Sequence, residues 1–274
     1  MPGLAHRELA DELNVVSAEE PASFAEAERE ACWRTAMLEE LQSIQDNATW
    51  DVVNLPAGHR PIGLKWVFKA KHDERGHIVK HKARLVAKGC VQQRGTDFDE
   101  VFAPVARLES VRLILAVAAH QVWQVHHMDV KSAFLNGELQ EEVYVQQPPG
   151  FTVGKEGQVL KLNKALYGLR QAPRAWYSKL DACLVSLGFT RSDHEHAVYT
   201  RRSAHKPLIV GVYVDDLLIT GQDAGDIKEF KLEMLQQFRM SDLGLLSYYL
   251  GIGVRQDHNG ISLSLSLSLS LHMP

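Results

Sequence analysis

Cysteine is scarce in this sequence, and long apolar runs are missing. Three cysteines occur in 274 residues, none of them in a Cys-x-x-Cys pair, which excludes a disulfide framework and a cysteine-based zinc module. The most apolar stretch, residues 208–220, is interrupted by two aspartates and is too short for a membrane span. The N-terminal residues lack the apolar run of a secretion signal. The sequence therefore predicts a protein that is neither secreted nor embedded in a membrane.

The overall charge conceals a strongly basic block. The formal net charge is −4, which by itself argues against a nucleic-acid-binding protein. Yet residues 60–94 contain ten lysines and arginines against two acids, whereas residues 1–51 contain twelve acids and three bases. Such a block is a local electrostatic feature that suits a polyanionic ligand. A solvated, lysine-rich hairpin has the same composition, and charge alone slightly favours that alternative.

Apolar periodicity and turn residues predict a mixed α+β chain. Ser23, with Glu26 three residues later, forms a capping-box signature at the start of a helix. Helices are predicted at 24–46, 111–120, 175–187 and about 227–238, and strands at 64–71, 78–87, 122–128, 208–214, 217–220 and 248–254. We expect a disordered acidic lead-in (1–20), a folded region (21–260) and a low-complexity tail (261–274). The Ser-Leu alternation of that tail has strand periodicity, although a CT repeat in the coding DNA would encode the same pattern.

Three aspartates are the first candidates for chemistry. Asp215 and Asp216 are adjacent between two apolar strands, where an isolated pair is more typical of a hairpin turn. Paired carboxylates repel each other unless a cation neutralises them, and Mg²⁺ accepts one or two carboxylates together with substrate phosphates. Asp129 ends another predicted strand and, alone, is equally well explained as a helix N-cap. On neighbouring strands the three would form a two-metal phosphoryl-transfer site, with ions roughly 3.5–4 Å apart.

Two further segments could contact a nucleotide or a nucleic acid. The basic hairpin contains cations that could hold phosphates: Lys65, Lys69, Lys71, Lys80, Lys82, Arg84 and Lys88. The alternative is an edge strand that lysines protect from aggregation. The segment LYGLRQAPRAWY (166–177) offers aromatic rings that could stack on bases, but it also fits an ordinary loop-to-helix junction. His126 and His127 are expected to serve packing or solvation.

Seven motifs, in this order, make the chain resemble the reverse transcriptase region of copia-type retrotransposon Pol polyproteins. They are LKWVFKAK, KARLVAKGCVQQRGTDFDEVFAPVARLESVR, MDVKSAFLNGEL, EEVYVQQPPGF, LYGLRQAPRAWY, YVDDLLITG and DLGLLSYYLGI. The resemblance covers roughly residues 20–260. It implies a right-hand polymerase fold of fingers and palm over 21–260, with an antiparallel palm sheet, packing helices and a thumb that is largely missing.

The resemblance also implies roles for individual residues. Asp129, Asp215 and Asp216 match the catalytic, metal-binding aspartates, and the Val130 carbonyl matches a further metal ligand. Phe134 matches the aromatic gate that excludes a ribose 2′-OH. The remaining matches are residues that approach the incoming nucleotide or the template: Arg84, Lys69, Lys71, Ser132, Ala133, Tyr167, Gly168 and Gln171.

By resemblance, the expected activity is RNA-directed DNA synthesis. Two Mg²⁺ ions, with Mn²⁺ as a possible substitute, would assist nucleotidyl transfer from a dNTP to a primer 3′-OH. The partners would be an RNA or DNA template with its primer and the dNTP, with no membrane. The family's life cycle implies cytoplasmic particles or the nucleus. The alternative is a catalytically inert, truncated relic of a retrotransposon that at most binds nucleic acid.

Overall fold

The computed structural model describes residues 20–73, 76–203, 206–257 and 260–265. The helices are α1 (Phe24–Ala27), α2 (Ala31–Asp46), α3 (Leu108–Gln121), α4 (Ala172–Ser186) and α5 (Ala224–Gln237), with short 3₁₀ helices at Gly89–Val91 and Ala133–Asn136. The strands are β1 (Trp50–Asn54), β2 (Leu64–His72), β3 (Ile78–Ala87), β4 (Val125–Val130), β5 (Glu138–Val145), β6 (Gln158–Lys164), β7 (Thr190–Arg191), β8 (Val198–Ser203), β9 (Lys206–Tyr213), β10 (Asp216–Gly221), β11 (Met240–Leu245), β12 (Tyr248–Tyr249), β13 (Ile252–Asp257) and β14 (Gly260–Leu265). This confirms the predicted α+β class. None of the described helices is long and apolar enough to cross a membrane.

The chain divides into two compact units. Among the described residues, the first unit comprises those up to 103 together with 132–179, and the second comprises 104–131 together with those from 180 onward. The predicted lead-in falls outside the described residues except for Glu20. In the first unit, β1, β6 and β5 form one antiparallel sheet, and β2 pairs with β3 in a separate two-stranded sheet.

The two-stranded sheet has one buried and one basic face. The predicted strands are confirmed almost to the residue. Alternate side chains in a strand point to opposite faces, which gives this sheet its two different faces. On the buried face, Trp66 lies opposite Leu85 and Phe68 lies opposite Ala83. Helix α2 packs against β3 with its predicted apolar face, which is buried as expected: Trp33, Met37, Leu41 and Ile44.

The predicted helix 24–46 is wrong in one respect, since it is broken after its first turn. Ser23 Oγ accepts the Glu26 N–H at 3.3 Å, which confirms the N-terminal cap. The chain then leaves the helix, because Glu30 is extended (φ −105°, ψ 128°) and precedes a second helix start. The Arg34 side chain donates to the Glu28 carbonyl, which satisfies one backbone acceptor exposed by the break.

The second unit is built on a six-stranded antiparallel sheet in the order β11-β4-β10-β9-β8-β7. One face carries a hydrophobic core with residues of α3, β12 and β13, and Leu218 of β10 belongs to this core. Because side chains alternate along a strand, Leu217 and Ile219 of β10 point to the opposite face, where both are also buried. Helix α5 contacts β10 and β11, so the central strands are buried.

Several other predicted element ends need correction. Strand β4 begins at Val125, because Val122 takes a left-handed conformation (φ 56°) that ends α3. Helix α4 begins at Ala172, three residues before the predicted start. The predicted strand 248–254 is two strands, since Leu250 and Gly251 both have positive φ and form a tight turn. Residues 261–265 of the tail pair with β13, and residues 266–274 lie outside the described chain.

Candidate active site

The strand register places two of the three predicted aspartates side by side. In the antiparallel pair of β10 and β4, Asp216 is the direct partner of Asp129. Directly opposed side chains share one face, with Cβ atoms about 4.5–5.5 Å apart. The sequence pattern predicts Asp216 between two strands and Asp129 at a strand end, but both residues lie within the sheet. Their placement follows from the pairing of strands far apart in the chain.

Asp215 occupies the tight loop beside this pair. Tyr213 and Asp216 are cross-strand partners, so Val214 and Asp215 form a two-residue hairpin loop. Val214 has φ 55°, a conformation that is rare for a β-branched residue and typical of strained functional sites. The Asp215 carbonyl accepts the Val130 N–H at 2.8 Å, which ties the loop to the end of β4.

Each of the paired aspartates has a nitrogen donor close to its carboxylate. His127 Nε2 lies 2.6 Å from Asp216 Oδ1, and Lys131 Nζ contacts Asp129 Oδ2. The sequence pattern predicts only packing or solvation for His127, and it does not single out Lys131. Within the described ranges, no group of three or more His, Cys, Asp or Glu side chains is arranged to hold a metal. The three-aspartate metal site, with the Val130 carbonyl, therefore stays a prediction.

The basic face of the two-stranded sheet in the first unit is a ladder of opposed cations. Lys69 lies directly opposite Lys82, and Lys71 directly opposite Lys80. Arg84 belongs to the same face and, with Lys69, Lys71 and Lys82, lines a groove of about 210 Å³. Like charges directly opposite each other destabilise a sheet. A face that retains them is suited to a polyanion that relieves the repulsion.

Glutamates compensate part of this charge. Glu20 accepts the Ala70 N–H at 2.8 Å and lies 3.6 Å from Lys69 Nζ. Glu40 of α2 is buried and accepts the Leu85 N–H at 3.3 Å. Burial raises the pKa of Glu40 above its ordinary value, although the Leu85 N–H and the charge of Arg84 act in the opposite direction. Glu20 therefore satisfies one N–H on the outer edge of β2, and Glu40 satisfies one N–H on the outer edge of β3.

Aromatic contacts bring three predicted residues together in the first unit. The Arg84 guanidinium lies over the Tyr167 ring, 5.1 Å from its centroid, and Tyr167 packs against Phe134 at 5.0 Å between centroids. Ser132 has a left-handed backbone (φ 51°) and its Oγ lies 3.2 Å from Ser43 Oγ. Ala133 and Phe134 are buried in the 3₁₀ helix that follows.

Gly168 and Gln171 have clear packing roles. Gly168 has φ 86°, and a Cβ there would lie 2.2 Å from the Ala87 carbonyl oxygen, so only glycine fits this approach to β3. Gln171 is buried; it accepts from Gln92 at 3.0 Å and donates to the Asp97 carbonyl at 3.1 Å. Both residues shape the loop behind Tyr167, and contact of either with a nucleotide stays a prediction.

Comparison with known proteins gives the chain its family. A family model described as "Reverse transcriptase (RNA-dependent DNA polymerase)" matches residues 47–270. The chain is 46% identical, over 83% of its length, to the retrovirus-related Pol polyprotein from transposon TNT 1-94 of Nicotiana tabacum. It is 39% identical, over 92% of its length, to the corresponding polyprotein from transposon RE1 of Arabidopsis thaliana. A putative transposon Ty5-1 protein of Saccharomyces cerevisiae is 39% identical over 48% of this chain and 44% of its own length.

The chain spans 17% of the length of each of the two plant polyproteins. The region matched by the family model includes the paired aspartates, Asp215 and the whole basic hairpin. The chain therefore belongs to the reverse transcriptase family found in copia-type, retrovirus-related Pol polyproteins of transposons.

Proposed function

We propose that this chain carries the RNA-directed DNA polymerase activity of a copia-like retrotransposon, in a right-hand fold of fingers and palm. The observation that carries the proposal is the register that sets Asp216 opposite Asp129, with Asp215 in the adjoining loop. In a reverse transcriptase family member, this is the place where acidic side chains would hold the catalytic cations. The substrates would be a dNTP and a primer paired to an RNA or DNA template.

The residues at the aspartate pair suit a hard divalent cation. Asp129 and Asp216 offer carboxylate oxygens from one face of the sheet, which is the donor chemistry that Mg²⁺ and Mn²⁺ prefer. Each carboxylate already attracts a nitrogen donor, from Lys131 and His127 respectively, as closely spaced acids require. Two Mg²⁺ ions bound by the three aspartates and the Val130 carbonyl would activate the primer 3′-OH and stabilise the leaving pyrophosphate.

The other proposed roles follow from side-chain chemistry in the first unit. Arg84, Lys69 and Lys71 would bind the triphosphate, since their shared face is positively charged and lines a groove. Phe134 would exclude a ribose 2′-OH by its bulk, with the Tyr167 ring limiting its movement. Four neighbouring residues would shape the nucleotide-binding and template-binding surface: Ser132, Ala133, Gly168 and Gln171.

Primer extension tests this proposal. The full chain would be incubated with an RNA template, a DNA primer, dNTPs and Mg²⁺ or Mn²⁺, beside a double variant with Asp215→Asn and Asp216→Asn. We expect metal-dependent extension by the parent chain and a loss of at least about a hundredfold in the variant. A parent chain that is folded by circular dichroism but does not extend the primer would refute the enzyme and favour the inert relic.

A further inference from the structure

The His127–Asp216 contact has the geometry of a strong, directed hydrogen bond. The donor and acceptor atoms are 2.6 Å apart, and a bond to an ionised carboxylate is about twice as strong as one between neutral groups. Because a carboxylate only accepts, His127 Nε2 must carry the proton and donate it. The bond engages Oδ1, one of the two oxygens of Asp216, and so restricts rotation of the carboxylate.

The imidazole is itself fixed by the core of the second unit. Its side chain is 12% exposed, and its ring meets the Tyr249 ring edge-on, 5.6 Å between centroids and 84° between planes. Tyr249 also packs against Tyr213, the residue that precedes the aspartate loop, at 6.3 Å. Tyr249 is 3% exposed and belongs to the hydrophobic core. The rings of Tyr213, Tyr249 and His127 therefore form a rigid support beside the aspartates.

The Tyr249 hydroxyl is not explained by packing alone. It is buried and has no hydrogen-bond partner in the described part of the chain, an arrangement that is unfavourable for a polar group. Burial first, and then the charges of Asp216 and Asp215, raise the pKa of Tyr249 above its ordinary value. A neutral hydroxyl thus lies within the electrostatic influence of both carboxylates.

The second nitrogen donor at the aspartate pair differs from His127 in exposure. The Lys131 side chain is 48% exposed, and the Asp129 carboxylate that it contacts is 24% exposed. Exposed ion pairs of flexible lysines contribute little to stability, so an incoming cation can displace Lys131 at small cost. The shielded imidazole on its aromatic support is the donor that can hold a fixed orientation while Asp216 binds a cation.

We propose that His127 is a positioning residue that orients the Asp216 carboxylate for cation binding, with Tyr249 as its rigid backing. This inference rests on the proposed polymerase function. Partners in the second coordination shell orient the direct metal ligands, and their removal typically weakens metal binding by about 10–100-fold. His127 need not touch the substrate, and its contribution is the orientation that it gives to Asp216.

Three variants of the full chain separate positioning from simple packing. His127→Phe keeps the aromatic contact with Tyr249 but removes the donor. His127→Gln keeps a side-chain N–H donor. His126→Gln is the matched control, because His126 neighbours His127 on the opposite face of β4 and contacts Lys231 instead. Mn²⁺ affinity would be measured by electron paramagnetic resonance, melting temperature by circular dichroism, and kcat and KM for the dNTP by primer extension.

We expect His127→Phe to weaken Mn²⁺ binding by about tenfold and to lower kcat more than it changes KM. His127→Gln should recover most of both losses, and His126→Gln should bind Mn²⁺ like the parent chain. If His127→Phe is folded and matches the parent in Mn²⁺ affinity and kcat, the positioning role is refuted while the polymerase stands. If Mn²⁺ binding depends on the donor but the parent chain extends no primer, the proposed function fails and the positioning role stands.

Discussion

Neutralising one lysine of the cation ladder should stabilise the fold and weaken polyanion binding at the same time. Lys71 lies directly opposite Lys80 and two residues from Lys69 on the same face. Lys71→Gln removes one positive charge and keeps most of the side-chain length. Substitution of a residue that serves packing lowers the free energy of unfolding of the protein. Substitution of a residue that is held for its charge should raise it.

The expected magnitude follows from the pairing. Two unit charges about 6 Å apart repel each other by about 0.7 kcal/mol in water, and like charges opposed across a sheet cost roughly 0.2–1 kcal/mol. We therefore expect Lys71→Gln to raise the free energy of unfolding by about 0.5 kcal/mol at low ionic strength. The gain should vanish at about 1 M salt, where screening acts over about 3 Å. Loss of one charged contact should weaken triphosphate binding by about tenfold.

Urea unfolding at both salt concentrations measures the stability, and inorganic triphosphate titrated against the melting temperature measures the binding. Lys228→Gln on α5 is the matched control, because it makes the same change in net charge in the second unit. If Lys71→Gln lowers stability and leaves triphosphate binding unchanged, the ladder is a protective edge and not a phosphate site.

Three further variants test other parts of the structure. Gly168→Ala should lower the free energy of unfolding by about 2–4 kcal/mol in urea titrations, because its Cβ would lie 2.2 Å from the Ala87 oxygen at φ 86°. Phe134→Val should raise incorporation of ribonucleotides relative to deoxyribonucleotides by about tenfold in primer extension. Burial and the Lys231 charge lower the pKa of His126 from 6.5; the folded state therefore binds fewer protons, and stability should fall as the pH drops below 6.5, less steeply in His126→Gln.

Each of these predictions has a specific control or contradicting result. Gly157→Ala shares a positive φ (82°) but meets no atom within 4 Å, so it should lose much less stability than Gly168→Ala. Phe134→Tyr keeps the bulk of the ring and should keep the discrimination against ribonucleotides. An unchanged preference for deoxyribonucleotides in Phe134→Val would refute the role of Phe134 as a gate. A His126→Gln chain with the pH profile of the parent would contradict the assignment of that titration to His126.

Local patterns predicted the elements whose geometry is local. The period-2 alternation of residues 64–71 and 78–87 predicted the two-stranded sheet. The buried face of α2 was predicted by the spacing of its apolar residues Trp33, Met37, Leu41 and Ile44. The break before Ala31 left no such sign, since the glutamates around it are good helix formers. Glu40 was missed although it lies seven residues after Trp33, a spacing that places it on the same helix face.

The candidate site was predictable in its residue types but not in its contacts. Asp129 and Asp216 stood out as acids near apolar strands, yet their direct opposition depends on the register of β4 and β10, which no local pattern determines. The His127–Asp216 bond joins residues 89 positions apart. Alternation alone could have placed His127 on the face of Asp129, two residues away, but its partner required the pairing of the sheet.

A double-mutant cycle of Mn²⁺ binding tests whether Asp129 and Asp216 act as one cation-binding pair. Mn²⁺ affinity would be compared in the parent chain, Asp129→Asn, Asp216→Asn and the double variant, with Asp242→Asn as a control acid on β11. We expect each single variant to lose most of the affinity and the double variant to lose little more, because shared ligands are strongly non-additive. Additive losses, or Mn²⁺ affinity that survives both substitutions, would show that the two aspartates do not form one cation-binding site.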